Sequence, residues 1–237
     1  MLWYKAWMET RVRFLFSLCG MVAIPSYYVY YEAQGVKQFA QLDWYYRSLH
    51  TGHGLIAAMW VAAVIFLMMG GLLREKAVGA SSFTLALPVS RTGLMRVRIL
   101  CGVCQAMTLA VVPWMAMFLV SRATGMATSI YQAVFHVVLL AGGGLVFLAL
   151  ALLVSSVVEG EYTAPAVSFG MLFVDATVLG ASSGTFSSWG FIMGWGYFDR
   201  KTQLLVGSIP WVHLMASILL AALLSGIAIK AIQRQEF

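Results

Sequence analysis

Two histidines inside long apolar stretches could carry redox chemistry in this chain. His136 and His213 each lie a few residues into such a stretch, and imidazole is a common axial ligand of haem iron. The pattern therefore allows a membrane haem protein that transfers electrons, with these two histidines as ligands. The same positions also suit histidines that only form hydrogen bonds near a membrane interface, so both interpretations stay open.

Asp175 is the only acidic residue well inside an apolar stretch. A charge at that depth costs several kcal/mol, so it is expected to have a partner and a function. Asp175 and His136 each lie six residues from one end of their apolar stretch, which is roughly 9 Å at about 1.5 Å per residue. If these ends face the outer side of a membrane, both residues lie at the same depth, and His213 lies slightly shallower. We predict that Asp175 faces the interior of the protein and pairs with His136 or His213. A structural hydrogen bond to a neighbouring helix is the alternative.

The remaining reactive residues predict neither a metal site nor a catalytic site. His50 and His53, three residues apart, are interpreted as an interfacial pair rather than as metal ligands. Cys101 and Cys104 form a C-x-x-C pattern, which indicates redox chemistry only in a soluble βαβ context. The serines of segment 182–188 lack the G-x-S-x-G sequence of a nucleophile elbow. No metal, nucleophile or cofactor is therefore predicted for this chain outside the haem alternative.

These residues are set in six stretches that are long and apolar enough to cross a bilayer, which takes roughly 20 residues per helix. The chain has 237 residues, of which 61% are hydrophobic and 10% charged, too few polar residues to cover a soluble protein. The predicted fold is an all-α integral membrane protein with a single transmembrane domain over residues 1–237. The six predicted spans are 14–31, 54–73, 99–121, 130–154, 162–181 and 209–229.

The net charge of +6 fits a membrane better than a nucleic acid, because the basic residues are scattered rather than clustered with aromatic side chains. With a cytoplasmic N-terminus, ten basic residues fall in inner segments: Lys5, Arg11, Arg13, Arg74, Lys76, Arg91, Arg96, Arg98, Lys230 and Arg234. Five fall in outer segments: Lys37, Arg47, Arg122, Arg200 and Lys201. Cytoplasmic loops carry the excess of Lys and Arg. Both termini are therefore predicted on the cytoplasmic side of the cell membrane.

Four segments outside the spans have distinct predicted roles. Residues 2–13 place tryptophans beside charges, as an interfacial helix does, and residues 32–53 are predicted as an outer connection. The inner segment 74–98 mixes charges with apolar residues around Pro88 and is predicted to be a docking surface. The outer segment 182–208 is aromatic and rich in glycine. It is predicted to be a re-entrant hairpin, with an interfacial loop as the alternative.

The inner segment resembles the membrane subunits of ATP-binding-cassette exporters of the ABC-2 type. The resemblance rests on L-L-R-E-K-A-V-G over Leu72–Gly79 and on F-T-L-A-L-P-V-S-R over Phe83–Arg91, followed by a basic lead into the third span. The order of six spans, the N-terminal helix and the outer hairpin also fit this family. One departure is Ala80, where relatives often have threonine.

The resemblance implies a permease that works beside a second membrane subunit, either an identical copy or a related chain. Two copies of a separate cytosolic ATPase would bind the ATP and magnesium, because this chain has no G-x-x-x-x-G-K-[ST] loop for nucleotide phosphates. The chain itself is therefore predicted not to be an enzyme. The implied contacts to the ATPase are polar at Glu75 and Arg91 and apolar at Phe83, Leu85 and Leu87. In such a permease, the predicted pair of Asp175 with His136 or His213 would shape the outer part of the pathway and its preference for cations. The exported substrate stays open.

Overall fold

The computed structural model describes residues 2–39, 42–69, 90–126, 129–158, 163–179, 187–194, 197 and 206–234. Within these ranges every regular element is helical. The helices are α1 (Leu2–Phe39), α2 (Leu42–Met68), α3 (Arg91–Ala123), α4 (Ile130–Val138), α5 (Gly144–Val157), α6 (Thr163–Val174), α7 (Ser188–Ile192) and α8 (Trp211–Arg234). Two π-helical turns, Leu139–Gly143 and Asp175–Leu179, join α4 to α5 and extend α6.

Five helical stretches of the described chain are long and apolar enough to cross a membrane: Leu2–Gly35, Thr51–Met68, Thr92–Ala123, Ile130–Val157 and Trp211–Arg234. They correspond to five of the six predicted spans, and the all-helical, membrane-embedded character predicted from the sequence is confirmed. The remaining apolar helix, Thr163–Val178, is shorter. At about 1.5 Å per residue it falls short of the roughly 30 Å hydrocarbon core, so six spans are not established.

Three predicted boundaries are wrong because helices continue through them. Residues 2–13 form the first turns of α1, which runs unbroken for 38 residues, rather than a separate interfacial helix. The predicted outer connection 32–53 is helical up to Phe39 and again from Leu42. The last part of the predicted inner segment belongs to α3, whose first turn is capped by the Ser90 hydroxyl, which accepts from the Gly93 N–H at 3.1 Å.

Helix α2 and the stretch 130–157 lie at the centre of the bundle. In the most apolar 18 residues of each, 61% of the residues are buried, compared with 17% in the corresponding part of α8. The helices α1 and α3 pack against α2, and α8 packs against α5. Apolar side chains such as Phe16, Leu119 and Leu223 are more than half exposed on the outer helices, as expected where acyl chains rather than water surround the protein.

Both ends of the described chain lie at the same end of the bundle. Glu9 near the start of α1 forms an ion pair with Arg98 near the start of α3, at 3.9 Å. Gln233 near the end of α8 donates to the Thr92 hydroxyl, also near the start of α3, at 2.9 Å. We call this the terminal end of the bundle and the opposite one, where α3 ends and α4 begins, the distal end.

Close approach at Gly144 yields a stability prediction. A Cβ at this position would overlap the indole ring of Trp60, whereas a Cβ on Gly226 in α8 would meet nothing within 4 Å. Overpacking a tight interior costs about 1–3 kcal/mol. We therefore expect Gly144→Ala to lower the free energy of unfolding by that amount in a denaturant titration in detergent. Gly226→Ala, the matched control, should leave it unchanged or raise it slightly, and equal effects would contradict the packing at Trp60.

Candidate functional site

The terminal end of the bundle holds a charged cluster around the C-terminus of α2. Arg13 donates to the carbonyls of Phe66 at 3.1 Å and Met69 at 3.0 Å. Arg98 donates to the carbonyls of Met68 at 3.0 Å and Met69 at 2.9 Å. The last carbonyls of a helix lack partners within the helix and carry partial negative charge. Two guanidinium groups from neighbouring helices supply both the missing donors and the compensating charge.

Glu9 completes this group, which we call the terminal arginine cluster (Glu9, Arg13, Arg98 and the carbonyls that the two arginines bind). Its carboxylate lies 3.9 Å from Arg98 and 3.8 Å from Lys5. The side chain of Arg98 is only 12% exposed, so its charge is largely removed from water and needs these partners. The cluster joins α1, α2 and α3 at the point where the chain leaves α2 for the inner segment.

The distal half of the bundle holds a second group built around α7. The Asp175 carboxylate accepts from the Trp189 N–H at 2.8 Å, the Ser188 N–H at 3.2 Å and the Ser187 hydroxyl at 3.1 Å. These are the first donors of α7, so a carboxylate placed there satisfies groups that the helix itself cannot. The π-helical turn that begins at Asp175 thus anchors α7 to the end of α6.

The other end of α7 is held by His53 of α2. Its Nε2 lies 2.9 Å from the carbonyl oxygen of Ile192, and because a carbonyl only accepts, Nε2 carries the proton. The short helix is therefore bonded at its N-terminus by Asp175 and at its C-terminus by His53. It also lies close to Gly143, where a Cβ would come within 2.5 Å of the Phe191 ring.

His53 belongs to a distal aromatic cluster, which comprises His53, Trp114 and His136. The two imidazole centroids are 4.0 Å apart, and the His136 ring stacks on Trp114 at 4.5 Å with 10° between the planes. All three side chains are buried. The cluster joins α2, α3 and α4 in the distal half, as the terminal arginine cluster joins helices at the terminal end.

The structure corrects the predicted partners of Asp175. Its hydrogen bonds go to Ser187, Ser188 and Trp189 and not to His136 or His213. The alternative interpretation, a structural hydrogen bond to a neighbouring helix, describes this geometry. The depths predicted from residue counts placed Asp175, His136 and His213 at about the same level in the membrane. They could not show which helix faces Asp175.

The two histidines of the haem alternative have different ring partners. His136 is buried against Trp114 and His53, whereas His213 is exposed and stacks on Phe191 at 5.9 Å. These contacts do not assemble a site that uses both rings. Among the described residues there is also no group of three or more metal-ligating side chains.

Sequence reasoning missed the role of His53, which was assigned to an interfacial pair with His50. The signal was present in the periodicity of α2. His53, Ile56, Trp60, Val64 and Leu67 recur at intervals of three or four residues, and all five are fully buried. A polar residue that falls on the same helix face as such a stripe points into the core of the bundle rather than toward the membrane interface.

Most of the predicted docking residues lie outside the described residues. Glu75, Phe83, Leu85 and Leu87 fall in segment 70–89, and of Arg91 only the backbone, as the first residue of α3, is described. Comparison with known proteins gives no further guide. No protein family model matches this chain, and neither a curated protein nor a solved structure is similar to it.

Proposed function

We propose that this chain is the membrane-spanning subunit of an ATP-binding-cassette exporter, with its energy supplied by a separate cytosolic ATPase. The observation that supports the proposal best is the terminal arginine cluster. It joins three helices where the chain enters the inner segment, and this is the segment that carries the exporter-like sequence. The terminal end of the bundle is then the cytoplasmic side, in agreement with the excess of basic residues there.

The cluster offers a physical route from the inner segment to the membrane helices. Arg98 and Arg13 hold the last carbonyls of α2 through charge-assisted hydrogen bonds, which are stronger than neutral ones. A force on the inner segment would therefore move α2 and α3 together with α1, rather than bend a single helix. Closure of the two ATPases on nucleotide would tilt these helices and open the seam between two membrane subunits outward.

The residues proposed for contact with the ATPase are those of the exporter-like motif. Glu75 and Arg91 would make the polar contacts, and Phe83, Leu85 and Leu87 would fill an apolar groove of the ATPase. A second membrane subunit, identical or related, would complete the transporter in the cell membrane. His136 and His213 stay proposed as residues beside the outer pathway, whereas Asp175 acts in this proposal by positioning α7.

Substitution of Glu75 or Arg91 by alanine tests the proposal. The chain is purified from its own membranes in mild detergent, the co-purifying cassette ATPase is identified by mass spectrometry, and ATP hydrolysis by the complex is measured in nanodiscs. Loss of one charged contact worth about 1.4 kcal/mol corresponds to a roughly tenfold loss of coupled hydrolysis or of ATPase affinity. Lys230→Ala, an exposed basic residue of α8, is the matched control and should behave like the parent.

Two results would overturn the proposal. One is that no cassette ATPase co-purifies with the intact chain. The other is that both variants bind and stimulate the ATPase as the parent does, which would remove the inner segment from the contact.

A further inference from the structure

A groove of about 590 Å³ runs between α1 and α3 in the terminal half of the bundle. Its wall is aromatic on the α1 side and carries two thiols on the α3 side, from Trp3, Tyr4, Trp7 and Phe14 and from Cys101 and Cys104, respectively. Neither the candidate site nor the proposed function uses these two cysteines. The groove brings the C-x-x-C pattern of the sequence to one accessible surface.

The two thiols are neighbours on one face of α3. Residues three apart on a helix have Cβ atoms about 5–6 Å apart, and the thiols of Cys101 and Cys104 are close enough to interact electrostatically. Cys101 is 8% exposed and Cys104 is exposed, so an ion in the groove can reach both. The Cys101 thiol also has the Thr10 hydroxyl of α1 as a hydrogen-bond neighbour, which directs it toward the α1 side of the groove.

This spacing suits one metal ion that is bound by two sulfur atoms. A metal–thiolate bond is about 2.3 Å long, so a linear S–metal–S unit spans about 4.6 Å. Two side chains whose Cβ atoms are about 5–6 Å apart can place their sulfur atoms at that separation. The helix therefore presents both ligands without a change of its backbone.

The composition of the walls selects the ion. Structural zinc takes four ligands, and Cu(II) prefers nitrogen and oxygen ligands in a square plane, whereas the described walls contain no imidazole and no carboxylate. Soft thiolates favour Cu(I), which is stable with only two of them in a linear arrangement. Aromatic walls add to this preference, because the face of an indole ring attracts a cation.

The charge of such a unit has a partner nearby. One Cu(I) with two thiolates carries a net charge of −1, and the terminal arginine cluster, with two arginines and one glutamate, carries +1. Arg98 lies about one helical turn before Cys101, and both Arg98 and Glu9 interact electrostatically with that thiol. A charge that is removed from water needs compensation of this kind.

We propose that Cys101 and Cys104 bind one Cu(I) ion as a linear dithiolate. Both thiols lose their protons on binding, so one Cu(I) displaces two protons and no electron is transferred. The site does not rest on the proposed exporter function, because this chain alone supplies both ligands.

The test is a competition for Cu(I) between the purified chain and bicinchoninate, whose Cu(I) complex loses its visible absorbance as the protein takes the metal. The affinity tag is removed, and ascorbate in the absence of oxygen keeps the copper reduced. We expect the parent to bind one Cu(I) per chain, with two sulfur neighbours in X-ray absorption. Cys104→Ser should weaken binding by more than the roughly 100-fold that loss of an outer-shell partner can cost. Cys19→Ser, which removes an exposed thiol of α1, is the matched control and should bind as the parent does.

Alkylation of the parent tests the same site without any substitution. Cys19 and Cys104 are both exposed, and each lies six residues after the arginine through which its helix binds the Met69 carbonyl. Cu(I) should protect Cys104 from N-ethylmaleimide but leave Cys19 reactive. Mass spectrometry of the peptides measures both thiols in one sample.

Three results would overturn the proposal. One is equal protection of Cys19 and Cys104, or equal loss of affinity in their serine variants, because this would mean nonspecific binding to thiols. Another is failure of the parent to take Cu(I) from bicinchoninate. The third is an X-ray absorption spectrum dominated by nitrogen or oxygen neighbours, which would place the copper elsewhere in the chain.

Discussion

Replacing Arg98 by methionine is expected to destabilise the protein by about 3–5 kcal/mol, the cost of removing one partner from a largely buried charged network. Methionine keeps an unbranched apolar side chain but cannot donate to the carbonyls of Met68 and Met69, and it leaves Glu9 with Lys5 as its only ion-pair partner among the described residues. Arg13 still donates to the Met69 carbonyl, so we expect a loss in the lower part of this range. The measurement is the free energy of unfolding in a denaturant titration in detergent.

Arg96→Met is the control for this change, because it removes the same charge from an exposed position in the same helix. Exposed substitutions away from special contacts usually stay within about 0.5 kcal/mol. Equal stability of the two variants would show that the terminal arginine cluster contributes little to the free energy of unfolding. A large loss for Arg98→Met, together with lost coupling to an ATPase, would link the cluster to both fold and function.

Replacing Asp175 by alanine is expected to release α7 and to cost about 2–3 kcal/mol. Two backbone N–H groups lose their acceptor, and the Ser187 hydroxyl keeps only the backbone carbonyl of residue 175, at 3.3 Å. Hydrogen bonds to a charged group contribute about 1.5–3 kcal/mol, with a further cost for buried donors left unsatisfied. Hydrogen exchange should report the change locally, as faster exchange of the amides of residues 187–194 than in the parent.

Asp175→Asn separates charge from shape. Asparagine keeps one acceptor oxygen but loses the second and the negative charge, so its stability should fall between those of the parent and Asp175→Ala. If asparagine transports every tested substrate as the parent does from pH 6 to 8, the charge has no transport role. Unchanged amide exchange in Asp175→Ala would contradict the anchoring of α7 by this carboxylate.

The membrane helices could be predicted from sequence because hydrophobic length is a local property. Five of the six predicted spans match described helices of sufficient length. The exception is the stretch 162–181, because the apolar helix described there, Thr163–Val178, is shorter than the five that qualify as spans, and Asp175 near its end bonds to α7. A hydropathy average along the sequence cannot include a hydrogen bond to another helix.

Helix boundaries were predicted less well, since they depend on partners distant in sequence. The charges of residues 5–13 indicated an interface and a break before the first span. In the structure Glu9 and Arg13 are bonded to α3 and α2, respectively, and α1 continues through them. A charge pattern gives the cost of burial but not the partner that offsets it.

The sequence by itself determined that this is a helical membrane protein, that its apolar segments follow one another in the observed order, and that Asp175 needs a partner. Hydrophobic length and the cost of a charge in lipid depend on composition alone. Only the tertiary structure decided that α7 is bonded to both Asp175 and His53, that His136 stacks between two aromatic neighbours, and that Arg13 and Arg98 bind the carbonyls at the end of α2. These relations depend on which faces of separate helices meet, and this is set by side-chain packing across the bundle rather than by any local pattern.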